Sequence, residues 1–311
     1  TRAVVEQVEG ILRSIPSVQG TLAIVGFSLI DGGAQSNSAF LVARLKPFDQ
    51  RTTPEMSVQA AIGRVFGAGQ AIRAANVFAF NLPPIIGLGT GGGFEYILQD
   101  YEGRAPAELG ATMLGLIVPA NQDPRLAAVF STFNATTPSI YLEVDRDKAQ
   151  ALGLRISDIF QALQATLGGI YVNDFNLFGR TWQVNLQGEQ ANRDDYDDIW
   201  RIHVRNQQGQ MVPLRAIADI RTVVGPQTIF RYNNYRAISI NGAARPGVSS
   251  GTALDTMEQL SARVLPPGYG FEWSTVAFQE RQASGQTVYI LALAVLFAYL
   301  FLVALYESWT I

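Results

Sequence analysis

The chain has 311 residues, of which 48% are hydrophobic and 16% charged, and its formal net charge is −3. Its length predicts two or more folded domains, and its composition excludes a wholly disordered chain. The small negative charge gives no electrostatic reason to expect a nucleic-acid partner. Cysteine is absent, which excludes disulfides, thiolate metal sites and cysteine nucleophiles.

The first part of the chain has the pattern of a small α+β domain. Apolar residues at helical spacing predict a helix over residues 3–12, and β-rich segments predict strands at 21–27 and 39–45. Between these strands, the Gly, Asp and Asn content of residues 28–37 predicts a loop.

A second helix and a third strand follow in this part. Thr53, Pro54 and Glu55 form a helix-start signal. Apolar residues then recur at helical spacing, at Val58, Ile62, Val65 and Phe66. Residues 76–80 predict a short strand. The order helix, strand, strand, helix, strand indicates a split βαβ, ferredoxin-like unit that lacks its first strand.

A glycine-rich run, Gly87–Gly93, separates this unit from the next one. A nucleotide-binding loop would need a Lys-Ser/Thr pair, which the run lacks. We therefore interpret it as a hinge between two domains.

A second unit of the same kind is interrupted by an insertion. Its first half is predicted as a strand at 94–99, a helix at 105–116 and a strand at 127–134. Its second half is predicted as strands at 228–232, 237–241 and 270–275 with a helix at 250–264. The inserted α+β block contains a strand at 140–144, a helix at 157–167 and strands near Tyr171, Trp182 and Ile202.

The last segment, residues 287–311, predicts a membrane-spanning helix. No charged residue lies between Arg281 and Glu307, and apolar side chains occur on every face. At about 1.5 Å per residue, the segment can cross a hydrocarbon core of roughly 30 Å. A buried core helix is the alternative. Because Thr1 is not an initiator residue, we expect a fragment of a larger membrane protein.

Few residues point to catalysis or metal binding. An acidic group precedes Ile199, at Asp194, Asp195, Asp197 and Asp198. Its spacing differs from that of a calcium loop, and acidic residues that open a short helix explain it equally well. The single histidine, His203, fits a strand residue on a polar face. No candidate nucleophile has a visible base, so we predict no enzymatic activity, no metal site and no cofactor.

Apolar side chains lie in or beside several predicted loops, namely Phe27, Leu29, Phe40, Phe78, Phe80, Leu82 and Phe133. Aromatic walls with few fixed polar groups suit adaptable binding of apolar ligands. Ordinary strand core is the alternative interpretation of this pattern.

Several motifs occur in one order along nearly the whole chain and together resemble one family. They are VFAFNLPPI (77–85) with GLGT (87–90), DKAQALGLRISDI (147–159), GGIYVNDF (168–175), GQMVPL (209–214), RYN (231–233), QER (279–281) and ALYESW (304–309). In this order they resemble the resistance–nodulation–division (RND) multidrug exporters of the AcrB type.

This resemblance implies a domain plan. Residues 1–87 correspond to a porter subdomain like PC1, without its first strand. Residues 88–136 and 226–278 correspond to a split porter subdomain like PC2. Residues 137–225 correspond to an inserted docking subdomain like DC, and residues 284–311 to a transmembrane helix. The implied class is α+β.

The resemblance also implies a set of ligand-contacting positions. The deep pocket corresponds to Leu22, Phe27, Leu29 and Phe40, and the entrance side to Phe78, Phe80, Leu82, Thr90, Phe133 and Asn134. A gating loop between them corresponds to Ser28, Asp31, Gly32, Gly33, Gln35 and Asn37. The family's best-studied drug pump has phenylalanine at the positions of Leu22 and Leu29, so a less aromatic deep pocket is implied here.

The function implied by the resemblance is export of small amphipathic compounds by a proton-driven pump in the bacterial inner membrane. Residues 1 to about 283 would be periplasmic. The implied partners are two further copies in a homotrimer, a periplasmic adaptor (membrane fusion) protein and an outer-membrane channel. An RND exporter of a lipid or another specialised cargo is the alternative, and a membrane-anchored binding or sensory module is a further one.

Overall fold

The computed structural model describes residues 1–82, 92–284 and 287–309. It divides into two compact units, one of Thr1–Ala135 with Pro226–Ile311 and one of Thr136–Gly225. Both units mix helices with antiparallel strand pairs, which confirms the predicted α+β class. The assignment of porter and docking subdomains stays a prediction.

The first unit begins with helix α1 (Arg2–Arg13), strands β1 (Val18–Ser28) and β2 (Gly33–Leu45), and helix α2 (Val58–Gly69). The two helices bury an apolar stripe that includes Val8, Leu12 and Val65, and alternate residues of β2 pack against it. The predicted helix start at Thr53 forms a separate 3₁₀ turn, and α2 begins after Ser57, whose side chain caps it.

Two predictions in this region are wrong. Residues 28–37 were expected to form a loop, but β2 begins at Gly33 and only residues 29–32 form the turn, because pairing with β1 outweighs the turn-forming composition. Residues 76–80 were expected to form a strand, but no strand is assigned there among the described residues. Val77 and Ala79 instead pack against the helical core.

The next elements are strand β3 (Phe94–Asp100), helix α3 (Pro106–Gln122) and strand β4 (Leu126–Phe130). All three predicted elements are confirmed, although their ends differ from the predicted ones. Helix α3 continues past residue 116, and β4 stops before residue 134.

The second unit opens with β5 (Thr137–Val144), α4 (Arg146–Ala151) and α5 (Ile156–Leu163), and a π-helical turn then extends α5. It continues with β6 (Ile170–Leu177), β7 (Arg180–Leu186), α6 (Tyr196–Trp200), β8 (His203–Arg205), β9 (Met211–Pro213) and β10 (Ala218–Gly225). Strands β5 and β10 pair from Thr137–Gly225 to Val144–Ala218. The unit therefore starts and finishes at the same place, as an insertion requires.

The first unit resumes with β11 (Phe230–Tyr232), β12 (Tyr235–Ala244), α7 (Ser250–Val264) and β13 (Tyr269–Ser274). One sheet has the order β11-β12-β3-β13, and β4 also pairs with β12. Strands from both sides of the insertion thus share one sheet, as predicted. Side chains of α3 and α7, including Leu116 and Met257, cover one face of it. There Tyr96 Oη and Ser261 Oγ are hydrogen-bonded at 2.7 Å, and burial raises the pKa of Tyr96.

The chain closes with helices α8 (Thr275–Ser284) and α9 (Thr287–Tyr306). Ala277 places α8 against the sheet core, and Arg281 forms ion pairs with Asp255 and Glu258 of α7. Large apolar side chains are exposed along α9. Residues 289–306 form a helix that is long and apolar enough to cross a membrane, so the predicted terminal helix is confirmed as a helix of suitable composition.

Candidate functional site

One face of the β1–β2 hairpin is apolar and exposed. Leu22 pairs with Val42, and Ile24 pairs with Phe40, and opposite residues of an antiparallel pair share a face. Leu22, Ile24 and Val42 are exposed and Phe40 is half-buried. The other face, which includes Leu41, packs on the helices. The structure therefore brings Leu22 and Phe40 onto one surface that the core does not use.

The outer end of this hairpin is irregular. Val25 pairs with Ala39, but Phe27 pairs with Ala34, so residues 35–38 of β2 bulge out of the ladder. In the tip, residues 28–37, Gly32 has a positive φ (+67°), and so does Gly26 (+85°) just before it. Glycine adopts this backbone conformation at little cost. Phe27 and Leu29 are half-buried near the tip, and Gln35 and Asn37 lie in the bulge.

Asp31 organises the tip by hydrogen bonds. Its Oδ2 accepts from Ser28 Oγ at 2.6 Å and from Gln35 Nε2 at 3.2 Å. Gln35 Oε1 in turn accepts from Ser38 Oγ at 2.8 Å. On its other side, Asp31 Oδ1 accepts from Thr132 Oγ1 at 2.9 Å. The carboxylate therefore contacts both the hairpin and the segment that follows β4.

The entrance-side aromatics lie on an extended segment that contacts β4. The Phe78 ring stacks on Phe130 with centroids 4.3 Å apart and planes inclined by 14°. Phe80 lies 6.3 Å from the same ring. Leu82 is exposed, and Thr90 lies outside the described residues. Val77 and Ala79 pack on the helical core, whereas the rings of Phe78 and Phe80 contact Phe130.

Phe133 and Asn134 occupy different environments. Phe133 packs against the core of the large sheet, and a Cβ at Gly110 of α3 would lie 3.3 Å from its ring. Asn134 is exposed. One side of Phe133 is thus committed to core packing, and its predicted contact with a ligand stays a prediction.

The end of β4 is where the predicted positions meet. Phe130 contacts the extended segment and Thr132 contacts the hairpin tip. Sequence reasoning missed both residues, and also Ile24 and Val42. The alternation of apolar residues along β1 and β2 could have identified the last two. No sequence pattern pairs Thr132 with a residue 101 positions away.

The alternative chemical sites are explained by local structure. Asp195 and Asp198 form a capping box at the start of α6, which confirms the helix-opening interpretation. His203 is exposed on the short strand β8, and its Nδ1 lies 2.7 Å from the carbonyl oxygen of Arg201. Among the described residues, no group of three His, Cys, Asp or Glu side chains is placed to hold a metal.

Comparison with known proteins gives consistent matches over the whole chain. The model of the AcrB/AcrD/AcrF family matches residues 1–311. The multidrug export protein AcrF of Escherichia coli K12 is 36% identical over 296 residues, covering 95% of this chain and 28% of AcrF.

Two further relatives have similar sequence identities. The toluene efflux pump membrane transporter TtgB of Pseudomonas putida DOT-T1E is 37% identical over 313 aligned positions, covering 100% of this chain and 29% of TtgB. The multidrug resistance protein MdtF of E. coli K12 is 35% identical over 296 residues, covering 95% of this chain and 28% of MdtF. The chain thus spans less than a third of the length of these relatives.

Proposed function

Because this chain belongs to the AcrB/AcrD/AcrF family of RND multidrug efflux transporters, we propose that it forms the substrate-handling part of an export pump for hydrophobic and amphipathic compounds. It would act by binding and conformational change, without catalytic chemistry of its own. One observation carries this proposal: the exposed apolar face of the β1–β2 hairpin and the Phe78–Phe130 stack are linked through the end of β4.

The chemistry of this surface suits many ligands. Burial of apolar surface yields roughly 25 cal/mol per Å² without requiring directional contacts. Such surface is present on the paired strands β1 and β2, at Leu22, Ile24, Phe40 and Val42. Few polar groups fix a ligand's orientation there, so compounds of different shape can share the surface.

Transport also requires a conformation that releases the ligand, since a ligand that binds all states equally shifts no equilibrium. We assign the gating role to the tip, residues 28–37. The irregular pairing at 35–38 supports this assignment, because the tip can change position while the ladder from Thr21 to Val25 stays paired.

The terminal helix supports a membrane location. Helix α9 has exposed apolar side chains along its length and no charged residue. We assign it to the inner membrane, with residues 1 to about 283 on the periplasmic side. Proton movement through carboxylates buried in other membrane helices would supply the energy.

The proposal includes partners and a domain plan. Residues 1–87 and the split region 88–136 with 226–278 would be porter subdomains, and residues 137–225 would dock to other components. The full pump would be a homotrimer that works with a periplasmic adaptor and an outer-membrane channel. The names of the relatives, which include multidrug and toluene efflux pumps, support the class of cargo.

Deletion of the encoding gene in its host tests the proposal. Sensitivity to cationic dyes, detergents and macrolide-sized compounds should rise, and the full-length protein supplied in trans should restore resistance. If sensitivity to all of these stays unchanged while a lipid accumulates in the cell, the cargo is a lipid and the drug-export proposal is wrong.

A further inference from the structure

The two carboxylate oxygens of Asp31 serve different parts of the molecule. Oδ2 accepts hydrogen bonds from Ser28 and Gln35 of its own hairpin. The backbone N–H of Asp31 also donates to Ser28 Oγ at 3.2 Å. These contacts make the tip a small ordered unit. Oδ1 is left to accept from Thr132, which lies outside the hairpin.

Thr132 is held firmly on the side of the large sheet. Its neighbour Ser131 donates through Oγ to the carbonyl oxygen of Ser239 in β12 at 2.7 Å. The backbone N–H of Phe133 donates to Ser131 Oγ at 3.2 Å, and the Phe133 ring packs into the sheet core. These contacts attach the segment that carries Thr132 to the large sheet.

The tip is attached to the rest of its hairpin less firmly. The ladder is interrupted between the Val25–Ala39 pair and the Phe27–Ala34 pair, and residues 35–38 have no partners among the described residues of β1. Positive φ occurs at Gly26, just before the tip, and at Gly32, within it. A few residues of this kind can absorb the change in φ and ψ of a hinge motion. A single hydrogen bond at the tip can therefore determine the position of the tip.

We propose that Asp31 is a positioning residue that latches the hairpin tip to Thr132, and that the tip opens when this hydrogen bond breaks. The consequence for transport rests on the proposed function, because it takes the tip as the gate beside the apolar face. The latch itself concerns only the position of the tip.

Removal of the Thr132 hydroxyl should have a modest and measurable effect. A single hydrogen bond to a carboxylate at a solvent-accessible position changes such an equilibrium by about fivefold. Amide hydrogen exchange measures the equilibrium directly, because local opening controls the exchange rate of protected amides.

The test compares matched variants of the purified full-length protein. Thr132→Val should raise the exchange rates of protected amides in residues 28–38 by about fivefold. Thr132→Ser, which keeps the hydroxyl, should restore wild-type exchange. Thr112→Val is the control, because Thr112 Oγ1 donates to the carbonyl oxygen of Glu108 in its own helix. It should leave residues 28–38 unchanged. Wild-type exchange rates in the Thr132→Val protein would overturn the latch.

A double variant makes the test specific to this pair of residues. If the two side chains act through one bond, Asp31→Ala with Thr132→Val should exchange no faster than Asp31→Ala alone. Additive acceleration would show that Thr132 stabilises the tip by another route, and would overturn the latch. If the wild-type protein exports no dye, the proposed function fails, and the exchange rates still decide whether the latch exists.

Discussion

Phe78 stacks on Phe130 with ring centroids 4.3 Å apart, and this contact joins the extended segment after α2 to the end of β4. Phe130 stands two residues before Thr132, which contacts the hairpin tip. The two contacts make the end of β4 a junction between the parts of the candidate site. A movement of the large sheet would reach the tip and the aromatic segment together.

The Phe78 side chain should matter for cargo more than for folding. Phe78 is only half-buried, so we expect Phe78→Ala to change the relative export of different dyes while the protein level stays near wild type. Phe94→Ala is the control, because Phe94 is buried and packs edge-on against Trp273. It should lower the protein level, since such truncations cost about 3–5 kcal/mol. Equal losses of protein for both variants would favour ordinary core packing at Phe78.

Two glycine substitutions should have opposite effects on stability. Gly93 has φ of +125°, and a Cβ there would overlap the carbonyl oxygen of Gly242, so Gly93→Ala should destabilise the protein by more than about 1 kcal/mol. Gly63 lies inside α2, and a Cβ added there would meet no heavy atom within 4 Å. Gly63→Ala should therefore stabilise the protein by about 0.5–1 kcal/mol. Thermal unfolding of the purified protein measures both. A neutral Gly93→Ala would contradict the close approach of β3 and β12.

The turn before β4 should contribute pH-dependent stability. The Arg125 side chain donates two hydrogen bonds to the Asp123 carboxylate and, with the Arg125 backbone N–H, lowers the pKa of Asp123 from 3.8 to about 2. Because the folded-state pKa lies below the unfolded-state value, this stability is complete above pH 3.8 and is lost as the pH falls through about 2.

The size of this contribution can be measured with a matched pair of variants. Arg125→Gln should lower the stability at pH 7, because it removes both side-chain hydrogen bonds to the Asp123 carboxylate, and the difference from wild type should shrink as the pH approaches 2. Arg2→Gln removes a surface pair with Glu6 at 3.5 Å and should have no measurable effect. A deficit of Arg125→Gln that persists at pH 2 would assign the effect to packing.

The acidic group before α6 should behave as a helix cap. The Asp195 side chain accepts from backbone N–H groups at the start of α6, so Asp195→Ala should destabilise the second unit by about 1 kcal/mol. Calcium or magnesium should not change the unfolding temperature of the wild-type protein. A clear rise with either ion, absent from the Asp195→Ala protein, would mean that the group binds a cation.

Local patterns predicted the elements whose own residues determine them. The predicted helix at 250–264 coincides with α7, because a serine cap defines its start and an apolar stripe defines its buried face. The join of β3 with β12 across the insertion followed from the order of the predicted elements.

Features that depend on distant residues were not predictable. Residues 76–80 have strand-like alternation but pair with no strand in the described part of the chain, and their side chains pack on the helical core and on Phe130. The bulge at 35–38 depends on the register of the hairpin. The Asp31–Thr132 contact joins two polar residues 101 positions apart, and no local sequence pattern indicates that they meet.

The central claim is that the exposed face of the β1–β2 hairpin binds the exported compound, and a matched pair of leucines tests it most directly. Leu22 is 60% exposed on that face, and Leu114 is 56% exposed on helix α3. The measurement is the rate of dye efflux from cells that produce equal amounts of full-length wild type, Leu22→Ser or Leu114→Ser. We predict several-fold slower efflux for Leu22→Ser, since burial of a leucine side chain is worth about 1.5–3 kcal/mol, and wild-type efflux for Leu114→Ser. Unchanged efflux in the Leu22→Ser cells would contradict it.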